Sequence, residues 1–143
     1  MHILIIGNGI AGITAARHLR KLGNDKITVV SKETDYFFSR TALMYLYMGH
    51  MRFKDVQPYA PDFWKKNRID LIRGEVKEID FDKKQLVFNA DFKAEDSELG
   101  EAPSEITYDK LILALGSASN KFGWPGQDLK RVQGLYSFQD VQG

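Results

Sequence analysis

The chain opens on a strand, a glycine turn and a helix within 23 residues: "HILII" (2–6), Gly7-Asn8-Gly9-Ile10-Ala11-Gly12, then "ITAARHLRKLG" (13–23). This feature limits the fold more than any other. A short apolar run bounded by glycine reads as a buried parallel strand. From Ile10 the period changes. Ile10, Ile13, Thr14, Arg17 and Leu19, with Ala11, Ala15 and Ala16, suit a helix with a small-residue face. Gly23 stands where a C′ glycine ends a helix. "KITVVS" (26–31), rich in β-branched residues, is the next strand. Strand, helix and strand with short connections imply a right-handed crossover and a parallel sheet.

Each glycine of the turn has a physical task. Gly7 allows the tight exit from the strand, Gly9 lets the backbone approach a pyrophosphate, and Gly12 lets the helix pack close to the sheet. The helix start, at Ile10 and Ala11, carries unpaired N–H groups and partial positive charge, which suit phosphate. The turn therefore reads as a dinucleotide cradle, with NAD, NADP and FAD all open at this point. An acid is expected at the end of the second strand for the ribose hydroxyls. Ser31 holds that position and can give or take one hydrogen bond. Glu33 comes 21 residues after Gly12, within the expected spacing of about 20. It reads equally as a ribose ligand and as a solvated loop acid. Lys32, between them, is a cation that can tolerate a 2′-phosphate.

Composition removes several chemistries. The net charge of +1 and pI near 7.9, with cations spread along the chain, give no reason to expect nucleic acid or an anionic membrane as a partner. There is no cysteine, so these residues hold no disulfide framework, Cys-ligated metal or redox dithiol. His2, His18 and His50 lie far apart, and no metal site is expected. The N-terminus lacks the features of a signal peptide, and no apolar run approaches the roughly 20 residues of a membrane span. A cytoplasmic location is expected, or a membrane-peripheral one in a longer parent.

Further along, "TALMYLYM" begins a helix with Ser39 or Thr41 as N-cap. Tyr36, Phe37, Phe38, Tyr45 and Tyr47 read mainly as core or interface aromatics. "APDFWKKN" (60–67) is a short helix. "IDLIRGEVKEIDFDKKQLVFN" (69–89) reads as a strand, "DLIRG", with "EVKEIDFD" and "QLVFN" around a turn, an antiparallel hairpin or meander. Residues 89–105 are acidic and read as a surface loop with no chemistry of its own. "LILAL" (111–115) is the third parallel strand, beside the first. Residues 121–143 read as irregular.

Two segments narrow the choice of cofactor by resemblance. "TYDKLILALGS" (107–117) resembles the second glycine motif of two-dinucleotide-binding flavoproteins, which usually ends in Ala-Thr-Gly-Ser. "YFFSRTALMY" (36–45) is similar to their Tyr-x-Arg-x-x-Leu segment after the second strand, and "RGEVKEIDFDKKQLVF" (73–88) to their small meander. In this order the segments resemble the pyridine nucleotide-dependent flavoprotein oxidoreductases, in particular the quinone-, ferredoxin- and nitrite-reductase-like branch. The resemblance implies an α/β, Rossmann-like parallel sheet with a small antiparallel meander (about 75–90), incomplete relative to the family. It implies a partial FAD-binding domain over 1–120, and FAD on the first glycine turn.

By position, Gly7, Gly9 and Gly12 would face the pyrophosphate, and Arg40 would lie by the pyrophosphate or flavin. Val76 would contact adenine through its backbone, and Ala114, Leu115 and Gly116 would line the cofactor. No catalytic residue is implied. Leu115 replaces the family threonine, Ser31 replaces the acid, and no cysteine lies in 36–48, where dithiol-using members carry theirs. In the family a nicotinamide domain follows at about residue 120. NAD(P)H is therefore expected only in a full-length parent, with the remainder of that polypeptide or another subunit as partner. Two other readings stay open: a non-catalytic ADP- or NAD-binding module, and an interaction domain.

Overall fold

The computed structural model describes residues 1–142; Gly143, the last residue of the 121–143 segment, lies outside the described residues. A four-stranded parallel sheet forms the centre, built from β1 (His2–Ile6), β2 (Lys26–Ser31), β3 (Ile69–Arg73) and β7 (Lys110–Leu113), in the order β3-β2-β1-β7. Helix α1 (Ile10–Leu22) crosses from β1 to β2. The remaining strands, β4 (Val76–Asp80), β5 (Gln85–Phe88) and β6 (Glu105–Thr107), form an antiparallel sheet. This matches the α/β, Rossmann-like reading with its small antiparallel meander.

The continuous apolar run of β1 is explained by the two layers that cover it. Side chains alternate across a strand. Ile3 and Ile5 face one cluster with Ile27, Val29 and Ile69, closed by Ile13 and Ala16 of α1 and by Trp64. Trp64 comes from the short helix α3 (Asp62–Lys66). Leu4 and Ile6 face the other way with Val30, and there Leu86, Phe88 and Tyr108 cover them. Helices thus cover one face and the antiparallel sheet the other, so no strand position of β1 after His2 meets water.

The structure refines several readings. "DLIRG" does not open the meander. It is the fourth parallel strand, in register with β2 from Ile27↔Ile69 to Ser31↔Arg73. Gly74 then turns the chain into the second sheet; a Cβ there would fall 2.8 Å from the Phe88 ring and 2.9 Å from Ala102. The acidic stretch is a surface loop as read, but it is anchored. Ser97 Oγ and the Glu98 N–H donate to Asp35 at 2.8 and 2.7 Å, and Asp35 pairs with Arg73 at 3.3 Å. Both members of that pair are buried. The stretch ends in β6, where Ile106 lies opposite the buried Leu86.

Gly23 closes α1 in extended backbone (φ −173°), with its N–H bonded to Leu19 O, so no left-handed C′ is used. Ser39 precedes a single 3-10 turn (Arg40–Ala42) and α2 (Leu43–Tyr47), but its hydroxyl meets Thr41 Oγ1 at 3.1 Å instead of capping. Of the aromatics, Phe37 and Phe38 are buried, whereas Tyr45 and Tyr47 are 46% and 70% exposed, because α2 buries only Leu43. The C-terminal segment is not wholly irregular. Helix α4 (Phe138–Gln142) seats Phe138 against Phe53 at 4.2 Å and against Phe38 at 6.2 Å.

Candidate functional site

The glycine turn lies at the carboxyl end of β1, between β2 and β7. The Gly7 N–H donates to Val30 O at 2.8 Å, and the Ala114 N–H donates to Ile6 O at 2.8 Å. The turn is therefore stitched to both neighbours. Strand order reverses here, the place where open parallel sheets bind ligands. Gly7 has φ +111°, and a Cβ on it would fall 2.1 Å from Ala114 O. On Gly12 a Cβ would fall 1.9 Å from Gly7 O. Backbone and packing thus require both glycines.

Gly9 is different. Its φ of −71° is open to any residue, and a Cβ would meet nothing within 4 Å. Neither conformation nor packing asks for glycine here. The space above it is what a closely approaching ligand needs. The first intrahelical bond runs from Ile13 N to Gly9 O at 3.0 Å. The N–H groups of Ile10, Ala11 and Gly12 therefore have no intrahelical acceptor. Gly9 offers no side-chain cap, and the first turn of α1 holds no acid. Ile10 is 70% exposed beside this opening. The cradle fits a pyrophosphate: free donors, the positive end of a 13-residue helix and room over Gly9.

Sequence reasoning passed over Asn8. Its buried side chain donates to Thr34 O at 2.8 Å and locks the turn to the segment after β2. In that segment Ser31 is buried, and its hydroxyl accepts from the Glu33 N–H at 3.2 Å. Lys32 turns away to Glu75 at 3.2 Å, on the side of the second sheet.

Glu33 forms a two-pronged pair with Arg40. Arg40 Nη1 donates to Oε1 at 2.9 Å and Nη2 to Oε2 at 2.6 Å. The Phe138 N–H donates to Oε1 at 2.8 Å, and Gln139 Nε2 to the Glu33 carbonyl at 2.8 Å. An ionised carboxylate has about four acceptor directions. Three are taken, so one stays open. Arg40 also donates to Tyr136 O, and its guanidinium lies 5.2 Å from the Phe38 ring and 4.6 Å from the Tyr136 ring. The hydrogen bond to Glu33 pushes the Arg40 pKa up further. The Arg40 charge is thus matched by Glu33.

On the β7 side, Ala114 presses its carbonyl against Gly7, Leu115 is 69% exposed, and Gly116 has φ +73°. Tyr136 stands over Gly116, its hydroxyl receiving hydrogen bonds from Ser117 N and Oγ, both at 3.0 Å. Val76 begins β4 opposite Phe88 and packs with the cluster that holds Ile6 and Val30, at the carboxyl ends of β1 and β2. The structure thus gathers Gly7 to Gly12, Ser31, Glu33, Arg40 and Ala114 to Gly116 along one edge, and places Lys32 and Val76 on the side of the second sheet.

Besides Asn8, sequence reasoning missed Tyr136, Ser117 and Phe138. The signal was Ser137-Phe138-Gln139-Asp140, a capping box. Asp140 Oδ2 accepts from Ser137 N at 2.7 Å, and the Asp140 N–H reaches back to Ser137 Oγ at 3.2 Å. The N–H groups of Ser137 and Tyr136, both donating to Oδ2, hold the Asp140 carboxyl below its usual range.

Two concavities lie away from the turn. One of about 410 Å³ is lined by Arg17, Arg20, Lys21, Phe63, Lys66 and Arg68, among others, near the start of β3. The other, of about 370 Å³, lies between Arg73, Asp96 and Phe138. Among the described residues no helix is long and apolar enough to cross a membrane, and no three His, Cys, Asp or Glu side chains gather for a metal.

Comparison with known proteins agrees with this geometry. The family profile described as pyridine nucleotide-disulphide oxidoreductase matches residues 1–143. The chain is 33% identical over 142 residues to an NADH oxidase of Methanocaldococcus jannaschii, covering 98% of this chain and 30% of that protein. It is 28% identical to the ferredoxin–NAD(+) reductase subunit of the benzene 1,2-dioxygenase system of Pseudomonas putida, over 99% of this chain and 32% of that one. The crystal structure of NADH:rubredoxin oxidoreductase from Clostridium acetobutylicum superposes with a TM-score of 0.77 at 29% identity, covering 99% of this chain and 34% of that one. The chain therefore spans about a third of the length of these relatives. Related reductases are FAD-binding flavoproteins. A profile that matches along the whole chain, the relatives and the solved structure agree: the chain belongs to the pyridine nucleotide-disulphide oxidoreductase family.

Proposed function

We propose that this chain holds the ADP part of FAD within an NAD(P)H-dependent flavoprotein oxidoreductase, which passes electrons from a nicotinamide through FAD to an acceptor. The observation that carries this reading is Gly9, a glycine that neither backbone nor packing requires, with open space above it. Pyrophosphate oxygens accept from the N–H groups at the start of α1. The last acceptor direction of Glu33 takes one ribose hydroxyl, and Ala114 to Gly116 form the opposite wall. Arg40 acts by holding Glu33 and the 136–142 segment in place, which extends the cofactor-holding unit of 1–120 through α4. FAD, when bound, supplies the redox chemistry, while these residues bind and orient it.

Relatives named as reductases of ferredoxin and rubredoxin support a redox protein as acceptor. One named as a sulfide-quinone reductase supports a quinone. The lack of cysteine in 36–48 favours transfer from flavin directly to the acceptor. Titration of the purified chain with FAD, ADP and NAD tests the reading. Saturable binding with FAD at least as tight as ADP is expected. FAD binding no tighter than NAD binding would turn the reading toward a plain nucleotide module, and no binding of any of the three would refute it.

A further inference from the structure

The Tyr136 hydroxyl carries a proton that no group among the described residues accepts. Ser117 approaches the phenol oxygen twice, through its N–H and through its hydroxyl, each at 3.0 Å and each as donor. A phenol has one O–H to give and acceptor capacity on the same oxygen. With that capacity taken by Ser117, the proton of Tyr136 points along a third direction. Among the described residues no oxygen receives it.

The place of this donor is well defined. A Cβ on Gly116 would fall 3.1 Å from the phenol oxygen, so the hydroxyl rests on the Gly116 backbone. Gly116 continues from Ala114, whose carbonyl presses on Gly7. The hydroxyl therefore flanks the glycine turn from the β7 side, while Glu33 flanks it from the β2 side. The rest of Tyr136 is fixed. Its ring lies 4.6 Å from the Arg40 guanidinium, its carbonyl accepts from Arg40 Nη1, and its N–H donates to Asp140 at 2.8 Å. A group held by so many bonds loses little freedom when a ligand arrives. The bonds from Ser117 also lower the pKa of the phenol, which makes its O–H a better donor.

We propose that the Tyr136 O–H is a cofactor ligand, donating one hydrogen bond to an anionic or hydroxyl oxygen of the dinucleotide held on the glycine turn. The proposal rests on the reading that the turn binds FAD. It assigns a binding role to the 136–142 segment, which is 105 residues from Glu33 at Phe138 but is bonded to it.

The test compares FAD dissociation constants of the full chain, by quenching of flavin fluorescence, for the wild type, Tyr136→Phe and Ser117→Ala. Tyr136→Phe keeps the ring over Arg40 and removes only the hydroxyl. A hydrogen bond to a charged oxygen makes its loss worth roughly a tenfold to hundredfold weaker Kd. Ser117→Ala removes one bond that ties Tyr136 down but leaves the phenol proton, and a change under about threefold is expected. FAD binding by Tyr136→Phe as tight as wild type overturns the proposal. So does an equal weakening in both variants, which would mean that the hydroxyl serves only to tie the 117 loop. Should Tyr136→Phe melt lower than wild type, Ser117→Ala still separates the two roles. Failure of the wild type to bind FAD would be seen first and would remove the parent reading together with this one.

Discussion

Replacing Gly9 with alanine separates a ligand requirement from a folding requirement. The new Cβ meets no protein atom within 4 Å and sits at a φ that alanine accepts. Two small effects on stability then oppose each other. Gly→Ala at a compatible position stabilises by about 0.4–1 kcal/mol through the unfolded chain. Gly9 is also the N-cap of α1, where alanine is a poorer residue by a fraction of about 1 kcal/mol. The net change is expected within about 0.5 kcal/mol, or roughly 2 °C in Tm.

Binding behaves differently. The methyl occupies the space over the turn and holds a pyrophosphate off the N–H groups of α1. Each charge-assisted hydrogen bond lost is worth about 1.5–3 kcal/mol, so FAD should bind roughly 10- to 150-fold more weakly. Calorimetric titration and thermal melting of the same sample measure both quantities. Gly12→Ala is the contrast. Its Cβ would lie 1.9 Å from Gly7 O, well inside the 3.4 Å of an ordinary contact, so that variant should lose stability by roughly 1–3 kcal/mol or more. Wild-type FAD affinity in Gly9→Ala would refute the placing of the pyrophosphate. A stability loss in Gly9→Ala as large as in Gly12→Ala would refute the claim that the space is open.

Two further outcomes follow from charged groups outside the turn. Asp35→Ala strands the buried Arg73 guanidinium and frees Ser97 and Glu98 from their anchor, so a loss of about 3–5 kcal/mol is expected, with faster amide exchange over 92–99. A loss under about 1 kcal/mol would show that the pair is not closed in solution. Asp55 is held down to about 2 by the hydrogen bond from the Arg52 side chain and by the Arg52 backbone N–H. Its folded pKa lies below its unfolded one, so its contribution is complete above the ordinary 3.8 and fades as pH falls toward 2. A carboxyl NMR titration should place the Asp55 midpoint near 2, moving up in Arg52→Gln. A wild-type midpoint near 3.8 would show the contact to be open.

The glycine turn was legible because its information is local. Strand, turn and helix lie within 23 residues, and each glycine's task follows from the same backbone. The antiparallel sheet was partly legible, since "EVKEIDFD" and "QLVFN" alternate around a turn. The place of "DLIRG" was not. Periodicity identifies a strand but not its partner, and Ile69 to Arg73 find theirs in β2 through α3, a helix of only five residues. Strand β6 hides because it has three residues with one apolar side chain, Ile106, at the end of an acidic stretch. Spacing from Gly12 marked Glu33, but its engagement was invisible. Its partners Arg40 and Phe138 are 7 and 105 residues away, and only the folded chain brings the second one in. The same holds for Tyr136 and Ser117, 19 residues apart in a segment that reads as loop.

The central claim is that the start of α1 holds the pyrophosphate of FAD. Backbone amide NMR of the isotopically labelled chain during an FAD titration tests it most directly. The account predicts saturable shifts of the Gly9, Ile10, Ala11 and Gly12 amides, with smaller ones at Glu33 and Gly116, and with ADP reproducing the shifts at the turn. Binding with those amides unmoved, or shifts gathered instead around Arg17, Lys21 and Arg68 at the far end of the sheet, would contradict it.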